Sequence, residues 1–151
     1  MTAPQVLIIV ARFYDHIADG LLTGASQALA AAGMPFTTLT VPGVLELPGA
    51  LRYAVRAMEM HAIDDHYAGY VVLGCAIEGE THHYHHVCTE AFRGVQEIAL
   101  QHSLAVGNGI LTVRNEKQAL DRALPERKNL GGQAARACLR MMELKRQFHL
   151  V

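Results

Sequence analysis

The stretch Val6-Leu7-Ile8-Ile9-Val10 determines how the rest of this 151-residue sequence is interpreted. All five residues are aliphatic, so the run is continuously apolar instead of alternating with polar positions. Such runs are typical of strands in a parallel sheet, where helices cover both faces. The sequence around this strand is therefore expected to supply helices and further strands of an α/β fold.

Outward from this strand, segments with helical spacing alternate with extended segments. Further strands are predicted over 36–41, 70–73 (ending at Gly74-Cys75) and 106–113. Apolar residues at helical spacing predict helices over 17–32, 47–58, 87–98 and 134–145, with a short helix from an Asn115 N-cap to Arg122. Gly33 is expected to end the first helix. Alternating strands and helices imply right-handed crossovers, so we predict an α/β three-layer sandwich with four parallel strands.

The composition excludes several classes of protein. The length suits a single domain spanning residues 1–151, and 13 Lys and Arg against 14 Asp and Glu leave no basic field for nucleic acid or anionic membrane. No apolar run approaches the roughly 20 residues of a membrane-spanning helix, and the N-terminus lacks the basic start of a signal peptide. The three cysteines lack CxxC spacing, which favours a reduced, cytoplasmic setting.

Chemistry-bearing residues collect at the predicted ends of the strands. These segments are 12–15, 42–46, 75–86, and Asn108 with its flanking glycines. In open α/β sheets, ligands bind beyond the carboxyl ends of the strands. We therefore expect the functional site at that edge.

Four of the nine histidines lie within residues 82–86, where two interpretations are open. His82 and His86 are four apart and would share a helix face, as a metal-binding pair requires, but no third ligand has suitable spacing. The plainer interpretation is a solvent-facing cluster of His82, His85 and His86. His83 follows the Gly79-Glu80-Thr81 turn closely and could act as a general acid and base.

Each remaining candidate has a structural explanation beside a functional one. Phe13 could pack under its loop or stack on a planar ring. Glu46 could cap a helix or bind ligand hydroxyls, and Thr81 could cap the next helix or help to bind an anion. Asn108 could be a turn residue or a ligand contact, whereas Arg122 is by default a solvated charge.

Three segments together resemble a known family. Arg12-Phe13-Tyr14-Asp15, the stretch VPGVLELP at 41–48 and the stretch GCAIEGETHHY at 74–84 are similar, in this order, to the lumazine synthase (6,7-dimethyl-8-ribityllumazine synthase) family. The resemblance covers nearly the whole chain. It implies a flavodoxin-like four-stranded sandwich that condenses 5-amino-6-(D-ribitylamino)uracil with 3,4-dihydroxy-2-butanone 4-phosphate. It further implies that this condensation is the penultimate step of riboflavin synthesis and that the reaction uses neither a metal nor an organic cofactor.

The resemblance also implies roles for particular residues. The pyrimidine would lie between Phe13 and Asn108, and His83 would transfer protons. The residues implied to hold the ribityl chain are Val44, Leu45 and Glu46, and those implied to offer backbone groups to the pyrimidine are Cys75, Ala76 and Ile77. The residues implied to meet the phosphate are Glu80, Thr81 and, across a subunit boundary, Arg122. A homo-oligomer built on pentamers follows from the same resemblance, and we expect the simple pentamer.

Three positions depart from the family pattern at the expected phosphate end. Glu78 stands where the family usually has Arg, Glu80 where a small residue is common, and Leu130 where a Lys often precedes the glycine. These changes make the phosphate end more acidic. The alternative function is therefore a non-catalytic or weakly active protein that binds flavin or lumazine on the same scaffold.

Overall fold

A four-stranded parallel sheet lies at the centre of the structure, a computed structural model that describes residues 3–150. Its strands are β1 (Gln5–Ala11), β2 (Phe36–Val41), β3 (Tyr67–Ile77) and β4 (Val106–Val113). They are arranged in the order β2-β1-β3-β4, and every neighbouring pair is parallel. The predicted α/β fold with four parallel strands is confirmed.

Helices cover both faces of the sheet, which gives the three predicted layers. The helices are α1 (Asp15–Ala31), α2 (Leu47–Glu59), α3 (His83–Gln101), α4 (Glu116–Ala123) and α5 (Leu130–Gln147). Helices α1, α4 and α5 pack on one face, and α2 and α3 pack on the other. Gly33 follows α1 with a φ of 68°, a left-handed conformation that glycine adopts readily, so the predicted end of this helix is confirmed.

The apolar run in β1 is continuous because each of its faces meets a different core. Ile8 packs with the α1 layer and Ile9 with the α2 layer, and both side chains are fully buried. Successive side chains of a strand point to opposite faces, so a strand between two helical layers needs an apolar residue at every position.

Strand β3 is longer than the sequence predicted, and this difference creates the edge used by the site. We expected the strand to end at Gly74-Cys75, but it continues to Ile77. Gly74 does not mark a turn: a Cβ there would lie 2.7 Å from Cγ1 of Val44, so the glycine allows the close approach of the 44–46 turn. Pairing with β1 stops at Leu73, whereas pairing with β4 continues to Ile77.

The prediction that Asn108 lies at the carboxyl end of its strand is wrong. Asn108 is the third residue of β4 and is paired with Val72, well before the strand ends. Gly107 beside it serves packing, because a Cβ there would lie 1.8 Å from the carbonyl oxygen of Ala134 in α5. No helix within residues 3–150 is long and apolar enough to cross a membrane.

Candidate active site

A cavity of about 520 Å³ opens at the carboxyl edge of the sheet. Residues that follow β1, residues that follow β2 and the segment from the end of β3 into α3 form its walls. The sequence-predicted residues that line it are Phe13, Val44, Leu45, Glu46, Cys75, Ala76, Ile77, Thr81 and His83. Three segments separated in the chain therefore meet at the edge where the sequence predicted a site.

Phe13 presents an open aromatic face to this cavity. Its ring is 73% exposed, so it is not packed beneath the loop that carries it. One edge contact holds it: the Phe13 and Tyr14 ring centroids lie 5.0 Å apart, with the ring planes at 78°. An aromatic ring exposed at a cavity can stack on a planar ligand.

Glu46 belongs to a 3-10 turn, Val44–Glu46, that leads directly into α2. Its Oε2 accepts a hydrogen bond of 3.1 Å from the backbone N–H of Gly43, which stabilises the start of the turn. Val44 is buried beneath the turn, whereas Leu45 and Glu46 remain exposed at the cavity. The carboxylate therefore stabilises its own loop and remains exposed at the cavity.

The end of β3 offers backbone groups to the cavity. The N–H of Glu78 donates to the carbonyl oxygen of Val113 at 2.8 Å, so this residue faces β4. Backbone groups alternate sides along a parallel strand, which turns the N–H and C=O of Ile77 toward the side where pairing with β1 has ended. This open strand edge can hydrogen-bond a heterocycle without using any side chain.

Cys75 contributes shape and not reactivity. Its side chain is 8% exposed, and burial raises the pKa of the thiol to about 12. A thiol with so high a pKa is almost entirely protonated near neutral pH, and only the thiolate is nucleophilic. In this environment Cys75 behaves as a small buried apolar residue.

Thr81 and His83 form the entrance to α3. The N-cap position of α3 is His82 and not Thr81, but the Oγ1 of Thr81 accepts a 3.3 Å hydrogen bond from the backbone N–H of His83, the first residue of the helix. The His83 side chain is exposed and lines the cavity. Its imidazole is therefore accessible to a bound ligand.

Two aromatic residues of the cavity were not singled out from the sequence. Tyr14 supports the Phe13 ring, and Tyr84 lines the wall beside His83. Burial raises the pKa of Tyr84, whose hydroxyl lies near Thr112 and Cys88. The available signal was their position, since each immediately follows a residue that the sequence had already selected.

Glu80, Asn108 and Arg122 do not line the cavity of their own chain. Arg122 lies on α4, in the layer on the opposite face of the sheet, and its Nη1 donates to the carbonyl oxygen of Gln118 at 3.1 Å. Asn108 is exposed on the edge strand β4, where its Oδ1 accepts a 3.0 Å hydrogen bond from the N–H of Ile110. Glu80 is exposed at the rim.

Basic side chains near the cavity are paired with carboxylates. Arg12 contacts Asp15 at 3.2 Å and Asp19 at 2.6 Å, and the hydrogen bond to Asp19 is the main reason why the pKa of Arg12 is raised. Nε of Arg114 lies 3.9 Å from a carboxylate oxygen of Glu78. These pairs reduce the positive charge that one chain can offer to an anionic ligand.

The histidine cluster does not form a metal centre within the part of the chain that the structure describes. His82, His85 and His86 are all exposed on or beside the first turn of α3. Among residues 3–150, no group of three or more His, Cys, Asp or Glu side chains could hold a metal ion. The solvent-facing interpretation of these three histidines matches their placement.

Comparison with known proteins assigns the chain to a family. Residues 3–146 match the family model described as 6,7-dimethyl-8-ribityllumazine synthase. A protein of that name from Paramagnetospirillum magneticum is 58% identical over 146 residues, which are 97% of each chain. A protein of the same name from Bartonella henselae is 48% identical over 95% of this chain and 90% of the relative. Another from Agrobacterium fabrum is 46% identical over 97% of this chain and 98% of the relative. With matches of this extent, the chain belongs to the 6,7-dimethyl-8-ribityllumazine synthase family.

Proposed function

We propose that this protein is a transferase that forms 6,7-dimethyl-8-ribityllumazine, the penultimate step of riboflavin biosynthesis. The substrates are 5-amino-6-(D-ribitylamino)uracil and 3,4-dihydroxy-2-butanone 4-phosphate. One observation carries the proposal: an aromatic face, a carboxylate, an open strand edge and an accessible imidazole meet in one cavity at the carboxyl edge of the sheet.

The heterocyclic substrate is held by the parts of the cavity that suit its shape. Phe13 stacks on the pyrimidine, while the backbone at Cys75 and Ile77 hydrogen-bonds the ring edge. The resemblance also implied Ala76 here, but its backbone groups face β4, so Ala76 contributes only to the cavity wall. The ribityl chain is polar and lies along the 44–46 turn, where Glu46 accepts hydrogen bonds from its hydroxyls. Stacking and edge recognition are separate contacts, so together they set both the position and the orientation of the ring.

His83 is the catalytic residue of this proposal. The 5-amino group of the pyrimidine attacks the ketone, and water leaves to form an imine. Loss of the C3 proton and of phosphate from C4 gives an enol, which tautomerises to a new ketone. The ribitylamino nitrogen attacks this ketone and closes the ring with loss of a second water. An imidazole can take a proton from the attacking amine and return one to a leaving group. Much of the rate comes from holding two intrinsically reactive molecules together, because proximity removes the entropic cost of their encounter.

The phosphate end is completed by a second copy of the chain. Thr81 and the rim residue Glu80 belong to the same chain as the cavity, but Arg122 lies on another layer and reaches the phosphate of a neighbour's site. Asn108 on edge strand β4 of the neighbouring chain likewise faces the far side of the pyrimidine ring. A guanidinium is always charged and matches a phosphate well, which compensates for the acidic Glu78 and Glu80.

The assembly is a homo-oligomer, with the pentamer as the expected form. Support comes from apolar surface beside the site: a groove of about 610 Å³ shares Leu45 with the cavity, and its Tyr53 is 78% exposed. Exposed apolar patches of this kind mark interfaces.

The chain forms one domain over residues 1–151 and acts in the cytoplasm, where its cysteines stay reduced.

The reaction is tested by incubating the purified protein with both substrates and following lumazine absorbance. The expected result is turnover above the spontaneous reaction of the two substrates. Absent turnover by an intact oligomer, together with tight flavin binding measured by fluorescence quenching, would instead establish the binding-only alternative.

Complementation tests whether the site is shared between chains. His83→Ala and Arg122→Ala are expected to be weakly active alone. Mixed oligomers from co-expression should recover activity, because some sites then combine an intact His83 with a neighbour's intact Arg122. Co-expression of His83→Ala with Phe13→Ala is the matched control, since both changes affect the same half of the site and no recovery is expected. Equal recovery in both pairs would contradict the shared site, and light scattering gives the oligomer size.

A further inference from the structure

A second cavity, of about 690 Å³, lies at the opposite edge of the sheet. The end of α2, the start of β3 and the last turns of α5 form its walls. About seven residues of β3 separate Tyr70 in this cavity from Ile77 in the substrate cavity, which is roughly 23 Å at 3.3 Å per residue. The volume is within the range typical of small-molecule sites.

Aromatic and sulfur-containing side chains form much of the lining. The rings of Tyr67 and Tyr70 lie 6.1 Å apart between centroids and are tilted by 58°. Met58 and Met142 line the same space. Thioethers pack favourably against aromatic rings and adapt to irregular shapes, so this lining suits a flat apolar body.

The charge of the cavity is positive. Lys145 and Arg146 line it from α5, and its acidic residue, Glu59, is already paired with Arg52 at 2.9 Å and Arg56 at 3.5 Å. Lys145 is half-buried, and burial lowers the pKa of its ammonium without an offsetting carboxylate from residues 3–150. A partly desolvated ammonium is stabilised by an anionic partner.

Tyr70 adds an under-used donor. Its side chain is 2% exposed, and its hydroxyl donates to the sulfur of Met58 at 3.4 Å. A thioether is a weak acceptor, so an oxygen of a ligand would be a stronger partner for this hydroxyl. Polar groups in an otherwise apolar cavity are the usual means by which such sites orient a ligand.

We propose that this cavity is a second ligand site that binds a small aromatic monocarboxylate. The flat body lies against the partly exposed Tyr67 and Met58, and the carboxylate pairs with Lys145. The site shares no lining residue with the substrate cavity, so it is a separate binding function of the fold and does not depend on the proposed reaction.

The test is a calorimetric titration of the purified full chain with 2-naphthoate, and with 2-naphthamide as its uncharged counterpart. We expect saturable binding of naphthoate and about tenfold weaker binding of the amide, as loss of one charged hydrogen bond implies. Lys145→Met keeps the alkyl stem and should weaken naphthoate by a similar factor. Lys117→Met, at an exposed lysine on α4, is the matched control and should change nothing.

Location is tested in the same titration with the Phe13→Ala variant, whose affinity for naphthoate should equal that of the parent protein. Lumazine formation by Lys145→Met should also be unchanged. The proposal is overturned by equal binding of acid and amide, by unchanged affinity in Lys145→Met, or by loss of affinity in Phe13→Ala. It is also overturned if no saturable binding occurs, as when a neighbouring copy fills the cavity.

Discussion

Gly74 connects the packing of the sheet with the shape of the substrate cavity. A Cβ added at this position would lie 2.7 Å from Cγ1 of Val44 and 3.1 Å from the Cβ of Ala11. Contacts as short as the first do not persist between saturated carbons, so Gly74→Ala must displace Val44. Because Val44 begins the 3-10 turn that carries Glu46, the displacement reaches the cavity wall.

Overpacking a core by one methyl group costs about 1–3 kcal/mol of unfolding free energy. For a chain of this size, about 1 kcal/mol corresponds to a melting-temperature change of about 2–4 °C, so Gly74→Ala should melt several degrees lower. Urea unfolding at fixed protein concentration gives the free energy, and lumazine kinetics give KM. We expect KM to rise, since the turn that we propose holds the ribityl chain moves.

Two further variants make the reasoning about Gly74 refutable. The Gly74→Ala/Val44→Ala double variant should lose less stability than the two single losses added together, because the shortened side chain at position 44 makes room for the new methyl group. Gly49→Ala in α2 meets no atom within 4 Å and should gain about 0.5–1 kcal/mol from helix propensity. Additive losses in the double variant, or parental stability of Gly74→Ala, would show that Gly74 is not confined by Val44.

Three other perturbations separate the chemistry from the fold. His83→Ala should lower kcat by about 100-fold while staying above the spontaneous rate, whereas His86→Ala on the same helix turn should match the parent in the same assay. Phe13→Ala should raise KM for the pyrimidine about tenfold, because stacking and apolar contact are lost. Phe148→Ala is the control, since Phe148 is 72% exposed. An equal rise in KM for both variants would refute the stacking role of Phe13. Burial raises the pKa of Cys138 to about 12, above its value of about 8.5 in an unfolded chain, so the unfolded chain loses this proton first as pH rises. The protonated thiol contributes fully to the free energy of unfolding below about pH 8.5, and this contribution declines as pH rises toward 12. The urea midpoint should therefore fall between about pH 8.5 and pH 10.5, and it should fall by less in Cys138→Ala.

The glycines show why sequence patterns identified the strands better than their ends. Gly74 and Gly107 both interrupt apolar runs, and this pattern is also typical of turns. In the structure each glycine instead makes room for a partner distant in the chain, Val44 for Gly74 and Ala134 for Gly107. A local pattern contains no information about which distant residue will approach the backbone, so β3 was predicted too short and Asn108 was misplaced.

The residues of the candidate site also divide into those that a local pattern locates and one whose role depends on a second chain. Phe13, Glu46 and His83 follow local signals, since each comes directly after a predicted strand or turn, and the structure brings them into one cavity. Arg122 follows an equally clear local signal at the end of a short helix, but its layer faces away from that cavity. Whether it reaches a ligand depends on a second chain, which no pattern within one sequence describes.

The sequence by itself determined the parallel α/β fold, because a strand covered on both faces must be apolar at every position, as residues 6–10 are. It also predicted the edge at which the candidate site residues meet, since all parallel strands end at the same side. Only the tertiary structure decided that β3 extends past its pairing with β1 and leaves Ile77 facing the cavity. The physical reason is that periodicity and capping are local, whereas the end of a strand depends on how far its neighbours continue.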